Sequence, residues 1–368
     1  MARTPSTFAA LGIEPVINAA GKMTALGASV LSPATRAAMD EASARFVDLA
    51  ALMKAADRTI AAATGAEAGF ITSCSAAGIV IATAACVTRG DLARTEALPF
   101  LAGPPDEVVI QRGHVVHFGA PILQMIALTG ARPVEIGATN RTQPNMLKDA
   151  LSPRTAAVMF VVSHHTYPSG FVGLAETVRI AHERGVPVIV DAAAETDLRK
   201  YVAAGADLVI YSGHKSLNAP TSGIVAGRRA LIDACLQQNG GIGRAMKIGK
   251  EGIIGALAAL EQYVAAGEPG TDMAAVEGLA ARLQGIPGLA AAPSVDPTRP
   301  EIVRVRLTVD PATARIDGRA LVARLTAHAP SIRTRNHDVE HGVIEIDFRT
   351  LQPGDADVIA DAVRLHLA

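Results

Sequence analysis

Between residues 107 and 211 the chain alternates short β-branched runs with longer runs whose apolar residues recur at helical spacing. The runs at 107–110, 133–136, 156–162, 187–191 and 207–211 are mostly apolar, the pattern of strands buried on both faces. Helical periodicity near 119–129, 174–184 and 198–204 fills the intervals, and Gly130, Gly137, Gly185, Pro187 and Gly205 punctuate the junctions. This alternation predicts an α/β fold, a mostly parallel sheet with helices on both faces.

The flanks differ. Ser32 and Pro33 open a helical run near Ala34, as N-cap and first helical residue. A long helix is expected over 250–266, and Glu268-Pro269-Gly270 then breaks the chain. The remainder reads as helix 273–283, strand 301–309, helix 318–327, strands 331–335 and 343–349, and helix 355–367, a small α+β domain. The expected division is an N-terminal arm over 1–30, a large domain over 31–267 and a small domain over 268–368.

Composition changes this picture little. With 368 residues, 49% of them hydrophobic, the chain has ample material for a large core. Lys+Arg 34 against Asp+Glu 35 gives net charge -1, without the basic excess of a nucleic-acid binder. Aromatic residues at 3% and no Trp leave no stacking surface for single strands. The longest apolar run, 78–87, is too short to span a bilayer, and the N-terminus lacks the apolar segment of a signal peptide. Cys74, Cys86 and Cys235 are few, odd in number and far apart, which fits a reducing cytoplasm rather than a disulfide framework.

Three segments carry the candidate chemistry. After the predicted strand 207–211 come Ser212, Gly213, His214 and Lys215, beyond a strand's C-terminal end, where parallel sheets place ligands. A desolvated lysine there becomes a neutral amine able to form a Schiff base, and Ser212 could hydrogen-bond an anion beside it. The strand 187–191 ends in Asp191, a carboxylate that needs a cationic partner if buried. A protonated pyridine nitrogen would serve, and the small Ala192–Ala194 stretch would let a flat ring approach. A third segment runs from a short apolar strand into Ser73, Cys74, Ser75 and Ala76 and then into a helical run, the layout of an anion site at a helix N-terminus. It has neither a Walker pattern nor a Gly-x-Gly-x-x-Gly, which favours a simple phosphoester over a nucleotide. Taken singly, each has a plainer reading: a solvated loop lysine, an Asp capping the next helix, a serine N-cap. Together they stand in the order phosphate loop, strand-end Asp, strand-end Lys, with Asp191 and Lys215 24 residues apart. That order fits a pyridoxal-phosphate enzyme of the aspartate-aminotransferase fold, fold type I.

At these residues the chain resembles the selenocysteine-synthase (L-seryl-tRNA selenium transferase)-like branch of pyridoxal-phosphate enzymes. The resemblance lies in Ser212-Gly-His-Lys215, in Pro220-Thr-Ser-Gly-Ile-Val-Ala-Gly227, in Gly241-Ile-Gly-Arg-Ala-Met-Lys-Ile-Gly-Lys250, in Pro15–Gly21 and in Gly137–Thr142. Within that branch the 241–250 run and Ser163-His164-His165 are most similar to the ammonia-lyases of D-glucosaminate 6-phosphate. The resemblance implies that Lys215 bonds the cofactor aldehyde, that Asp191 pairs with the pyridinium, and that Ser212 and His214 sit on the phosphate beside the Ser73–Ala76 loop. It implies a ring stacked on the cofactor from His114 or His117, with His117 the choice, and His165 facing the phenolic oxygen or the substrate. It implies that Arg244 and Lys247 bind an anionic group, with Arg141 a weaker addition, and that Thr24, Leu26 and Gly27 reach a neighbouring subunit's site.

The residues themselves add one point on the basic cluster: if helical, Arg244, Lys247 and Lys250 share a face, which is also how a solvated helix looks. No metal site is expected, since His114 and His117 lack further ligands at sensible spacing. The selenium transferases' extra tRNA-gripping region has no counterpart before Ile17, so a small anionic substrate is expected rather than tRNA. The expected reaction is Cα proton removal by Lys215, then loss of a β-hydroxyl, giving a 2-oxo acid and ammonia from D-glucosaminate or its 6-phosphate. Racemisation, selenium or sulfur transfer, and a non-catalytic binding protein are the alternatives. A homo-oligomer of at least two subunits is expected.

Overall fold

Along each central strand, alternate residues enter two different cores. Val158 and Phe160 face one side of the sheet, Ala157, Met159 and Val161 the other. The same holds for Val209 and Tyr211 against Leu208 and Ile210. Both sets are buried, which is why these strands read as apolar runs rather than as a half-polar alternation. The computed structural model describes residues 7–267, 270–297 and 299–367. It divides into two units, one of the described residues from 31 to 267 and one of 7–30 with 270–367.

The larger unit is built on a seven-stranded sheet. Its order is Ala68–Thr72, Gly223–Gly227, Leu208–Ser212, Val188–Asp191, Thr155–Val161, Glu107–Gln111, Arg132–Ile136. Gly223–Gly227 runs antiparallel to both neighbours and every other pairing is parallel, so the sheet is mostly parallel as expected. Helices Leu49–Thr64, Leu174–His182 and Lys250–Ala266 contribute to one core, Ser75–Thr88 and Arg229–Gln237 to the other. The Ser75–Thr88 helix is buried along nearly its whole length, apolar all round as a central helix must be. It can lie flush on the sheet because Gly78 has no side chain; a Cβ there would sit 3.0 Å from Ile210 Cγ2.

The register aligns the site. Gly223 is opposite both Thr72 and Ser212, so the turns after two parallel strands flank the start of the antiparallel one. Val161 pairs with Asp191, and Asp191 with Ile210, bringing the ends of the next two strands to the same edge.

The helices observed at Lys250–Ala266, Met273–Leu283, Gly318–Ala327 and Asp355–Leu367 have the expected bounds. The helix expected over 119–129 shortens to Ile122–Ala127, because Pro121 starts it and Gly130 at φ 80 closes its exit. In the smaller unit, Val303–Val309 pairs antiparallel with Leu289–Val295, a strand not expected from the sequence, and with Val343–Asp347. Ile17–Ala19, within the stretch expected as an arm, pairs parallel with Ile332–Thr334 and buries Ile17 and Ala19 in that unit's core. The expected domain boundary, residue 268, lies outside the described residues.

Candidate active site

Lys215 stands on the Gly213–Ser216 turn that follows the Leu208–Ser212 strand. The turn is held tightly. Gly213 donates its N–H to the Ser222 carbonyl at 3.0 Å, and a Cβ at Gly213 would fall 2.1 Å from Ser222 Oγ. Ser212 N–H reaches the Ala193 carbonyl at 3.3 Å, and Ser216 Oγ donates to the Glu195 carbonyl at 2.7 Å. The lysine turn is therefore fastened to the loop that begins at Asp191.

Asp191 ends its strand almost wholly buried, its Oδ1 accepting the Ala193 N–H at 3.1 Å. Burial pushes its carboxyl up to about 6, against the opposing pull of that N–H and of the Lys215 charge. A carboxylate held in this way is stabilised by a cation brought into contact with it.

The third element begins at Ala68–Thr72. Cys74 is the N-cap of the Ser75–Thr88 helix, its Sγ accepting the Ala77 N–H at 3.4 Å. The N–H groups of Ser75 and Ala76 stand ahead of the helix's own hydrogen bonds, as at any first turn. Ser73 N–H, by contrast, donates to the Met246 carbonyl at 3.3 Å, which also accepts from Thr72 Oγ1 at 2.9 Å. Of the expected loop, then, Ser73 has its N–H engaged, while Ser75 and Ala76 carry first-turn backbone donors. Gly223 presses against this turn so closely that a Cβ would sit 2.3 Å from the Cys74 carbonyl oxygen.

These elements meet in one cleft, lined by Ser75, Asp191, Lys215 and His165 among the expected residues. Ala193 and Ala194 form part of its wall, small residues that admit a flat ring. Ile79, Val116, Phe118, Val162, Ser163 and His164 complete it, and the His164 and His165 rings are 3.9 Å apart. Ser212 and His214 do not line the cleft; they are buried beside it, and Ser212 Oγ and both His214 ring nitrogens have no hydrogen-bond partner among the described residues. Burial, and after it the Lys215 charge, lowers the His214 imidazole. Buried polar atoms without partners cost about 1–3 kcal/mol each, which is offset when a polar group reaches them.

The histidine expected to stack is placed elsewhere. His117 is exposed and does not line the cleft; Phe118 and Val116 do, because alternate residues of this segment face the same way. His114 turns inward, its Nδ1 accepting the Val161 N–H at 3.3 Å and its ring packed edge-on against Phe160 at 4.5 Å. Burial lowers it to about 4. An aromatic at position 118, in phase with Val116, was the available signal for this wall.

The basic cluster is not one helical face. Ile242–Met246 is a 3-10 turn, Lys247 is extended and Lys250 begins the next helix, since Gly249 interrupts between them. Lys250 donates to the Ala42 carbonyl and pairs with Glu251. Arg244 and Lys247 are exposed, on the segment docked to Thr72 and Ser73 through Met246. Arg141 is exposed in the Ala138–Arg141 bridge. Thr24 and Gly27 lie in the smaller unit, where Thr24–Leu26 form a 3-10 turn that Gly27 caps at φ 82. Among the described residues no group of three His, Cys, Asp or Glu is placed to hold a metal, and no helix is long and apolar enough to cross a membrane.

The family described as L-seryl-tRNA selenium transferase matches residues 16–352. The chain is 41% identical over 361 residues to a D-glucosaminate-6-phosphate ammonia lyase of Salmonella typhimurium, covering 98% of each. It is 44% identical over 356 residues to a 5'-C-glycyluridine monooxygenase-decarboxylase of a Streptomyces species, covering 95% of this chain and 89% of that enzyme. A solved structure of D-glucosaminate-6-phosphate ammonia-lyase superposes with a TM-score of 0.95 at 40% identity, covering 99% of this chain and 98% of that one.

Proposed function

The chain belongs to the L-seryl-tRNA selenium transferase family, and within it we propose a pyridoxal-phosphate-dependent ammonia-lyase acting on D-glucosaminate or its 6-phosphate, a small anionic 2-amino-3-hydroxy acid. Its fold is type I of the pyridoxal-phosphate enzymes. The observation that carries the reading is the meeting of Lys215, Asp191 and the Ser75 turn in one cleft at the carboxyl edge of the sheet. The 41% identity to an ammonia lyase over nearly the whole chain supports the reaction class.

Bound there, pyridoxal phosphate supplies an electron sink for the charge left when a bond at the substrate's Cα breaks. The chain's own residues do the rest. Lys215 would hold the cofactor aldehyde, and its amine would take the substrate's Cα proton. Asp191, as carboxylate, would keep the ring nitrogen protonated. Ser75 and Ala76 donate N–H groups to the phosphate, with Ser73 and Cys74 shaping the turn. Ser212 and His214 would offer it their buried polar atoms. Phe118 would pack on the cofactor ring, the role expected of His117, and His165 would meet the phenolic oxygen or the substrate. Arg244 and Lys247 meet the substrate's carboxylate. The β-hydroxyl leaves as water, and hydrolysis of the released imine consumes that water again, so the net products are a 3-deoxy-2-oxo acid and ammonium.

Thr24 and Gly27 enter this reading as contributions to a neighbouring subunit's site in a homo-oligomer, for which light scattering that finds an active monomer is the counter-test. The three free cysteines, two of them buried, accord with a cytoplasmic enzyme.

A second reading has its own observation. The 44% identity to a monooxygenase-decarboxylase favours cleavage of the Cα carboxylate instead of the Cα proton, with dioxygen as oxidant. One assay separates them. The holoenzyme incubated with D-glucosaminate and its 6-phosphate is expected to release equimolar 2-oxo acid and ammonia without oxygen uptake. Oxygen uptake with carbon dioxide release from a glycyl nucleoside, and no 2-oxo acid from either sugar acid, would establish the second reading instead.

A further inference from the structure

We propose that a second cleft of the larger unit receives the substrate's tail, a polyhydroxylated chain ending in a phosphate; the substrate class rests on the lyase reading above, the geometry does not. This cleft is lined by Arg112, Glu135, Thr139, Thr166 and Tyr167, and His165 is common to it and to the cleft of Lys215. A molecule whose amino-acid head is at Lys215 and whose chain passes His165 enters it.

Its walls are set before any ligand arrives. Gly113 approaches the Thr139 segment so closely that a Cβ would sit 2.6 Å from the Thr139 carbonyl oxygen. Tyr167 N–H donates to the Gly113 carbonyl at 3.1 Å. Thr166 Oγ1 and N–H both bond the Ser163 carbonyl, at 2.6 and 3.1 Å, so the far wall is continuous with the His164–His165 turn.

The lining chemistry selects the ligand. Arg112 Nε donates to Glu135 Oε2 at 3.3 Å, and that pair orients the guanidinium. Its terminal nitrogens make no hydrogen bond among the described residues, which leaves a planar fork of donors for a phosphate. The hydroxyls of Thr139 and Tyr167 are likewise unengaged there, and Glu135 can accept from hydroxyl groups. A carboxylate and two hydroxyls suit a polyol, and the arginine suits the anion at its end. Arg244 and Lys247, on a different segment, are left for the α-carboxylate of the same molecule.

Two measurements on the holoenzyme test this. D-Serine has the same 2-amino-3-hydroxy head and no tail. The ratio of kcat/KM for D-glucosaminate 6-phosphate to that for D-serine is expected to fall about tenfold or more in Arg112→Gln, the loss expected of a charge-assisted hydrogen bond, and to recover only partly in Arg112→Lys. An unchanged ratio, or equal losses on both substrates, would overturn the assignment. D-Glucitol 6-phosphate is a tail without a head, and calorimetry should show it binding the wild-type holoenzyme about tenfold or more tighter than Arg112→Gln, and tighter than D-glucitol. Equal binding to both proteins, or no preference for the phosphate, overturns the subsite even if the lyase is active. Binding as expected without lyase activity upholds the subsite and sinks the reaction.

Discussion

Ser216 Oγ donates to the Glu195 carbonyl at 2.7 Å, joining the turn of Lys215 to the loop that follows Asp191. The two elements come from successive parallel strands, and the bond adds to the one from Ser212 N–H to the Ala193 carbonyl at 3.3 Å. Tyr263 holds the same loop from the Lys250–Ala266 helix, its hydroxyl donating to the Thr196 carbonyl at 2.7 Å. Ser216→Ala is expected to cost about 1 kcal/mol in urea unfolding, the usual worth of such a bond. Because the bond spaces Lys215 from Asp191, the variant should also lower kcat with little change in KM. A stability loss with unchanged kcat would confine Ser216 to structure.

Lys215 is expected to be the residue that holds the cofactor. Borohydride reduction of the holoenzyme followed by peptide mass spectrometry should place the pyridoxyl group on this lysine. An adduct on Lys247 or Lys250, or none, would refute the assignment.

Asp191 links stability to the site. Its folded-state value, raised to about 6 from 3.8, means that the cofactor-free protein pays for an ionised carboxylate at neutral pH. The sign follows: this contribution favours the fold below about pH 4 and is lost as pH rises through about 6. Asp191→Asn without cofactor should thus be more stable at pH 7, by up to about 3 kcal/mol for a shift near two units. With cofactor the same variant should be slow at Cα, lacking the counter-charge for the ring nitrogen. Equal stability of the two cofactor-free proteins at pH 7 would contradict the buried, ionised carboxylate.

His114 runs the other way. Lowered to about 4 from 6.5, it favours the fold above pH 6.5, and that contribution is lost as pH falls toward 4. Its imidazole signals in an NMR titration should stay those of the neutral ring down to about pH 5 and shift only near 4. A midpoint above 6 would mean that the ring is not packed between Val161 and Phe160.

Gly223→Ala is expected to impair cofactor binding more than folding. The added Cβ would meet the Cys74 carbonyl oxygen at 2.3 Å and Ser75 N at 2.8 Å, both backbone atoms of the turn that presents the Ser75 and Ala76 donors. The turn must shift, so the variant should bind pyridoxal phosphate about tenfold or more weakly, as judged by absorbance titration, for the loss of one good donor to a charged group. Unchanged affinity would show that the phosphate does not rest on this turn.

Much of this molecule was legible in the chain because the signals are local or periodic. Strands buried on both faces announce themselves as apolar runs, and Asp191 at the end of one and Lys215 just past the end of the next are placed by that alone. The cap and first turn around Cys74 and Ser75 are likewise a matter of neighbours in sequence. Other features depend on contacts between distant segments and have no local signature. Ser73 gives its N–H to Met246, which removes it from the available donors although its sequence context matches Ser75. His117 and Phe118 are adjacent, and which one faces the cleft depends on the phase of an irregular segment pinned by His114 to Val161, 47 residues away. Arg244, Lys247 and Lys250 suit one helix by spacing, yet the turn at Met246 docks on the loop after Thr72 and the helix starts only beyond Gly249. Spacing along a chain determines which side chains can share a strand end or a helix turn; which of them then face the same space is decided by packing between segments, where burial and hydrogen bonding outweigh local preference.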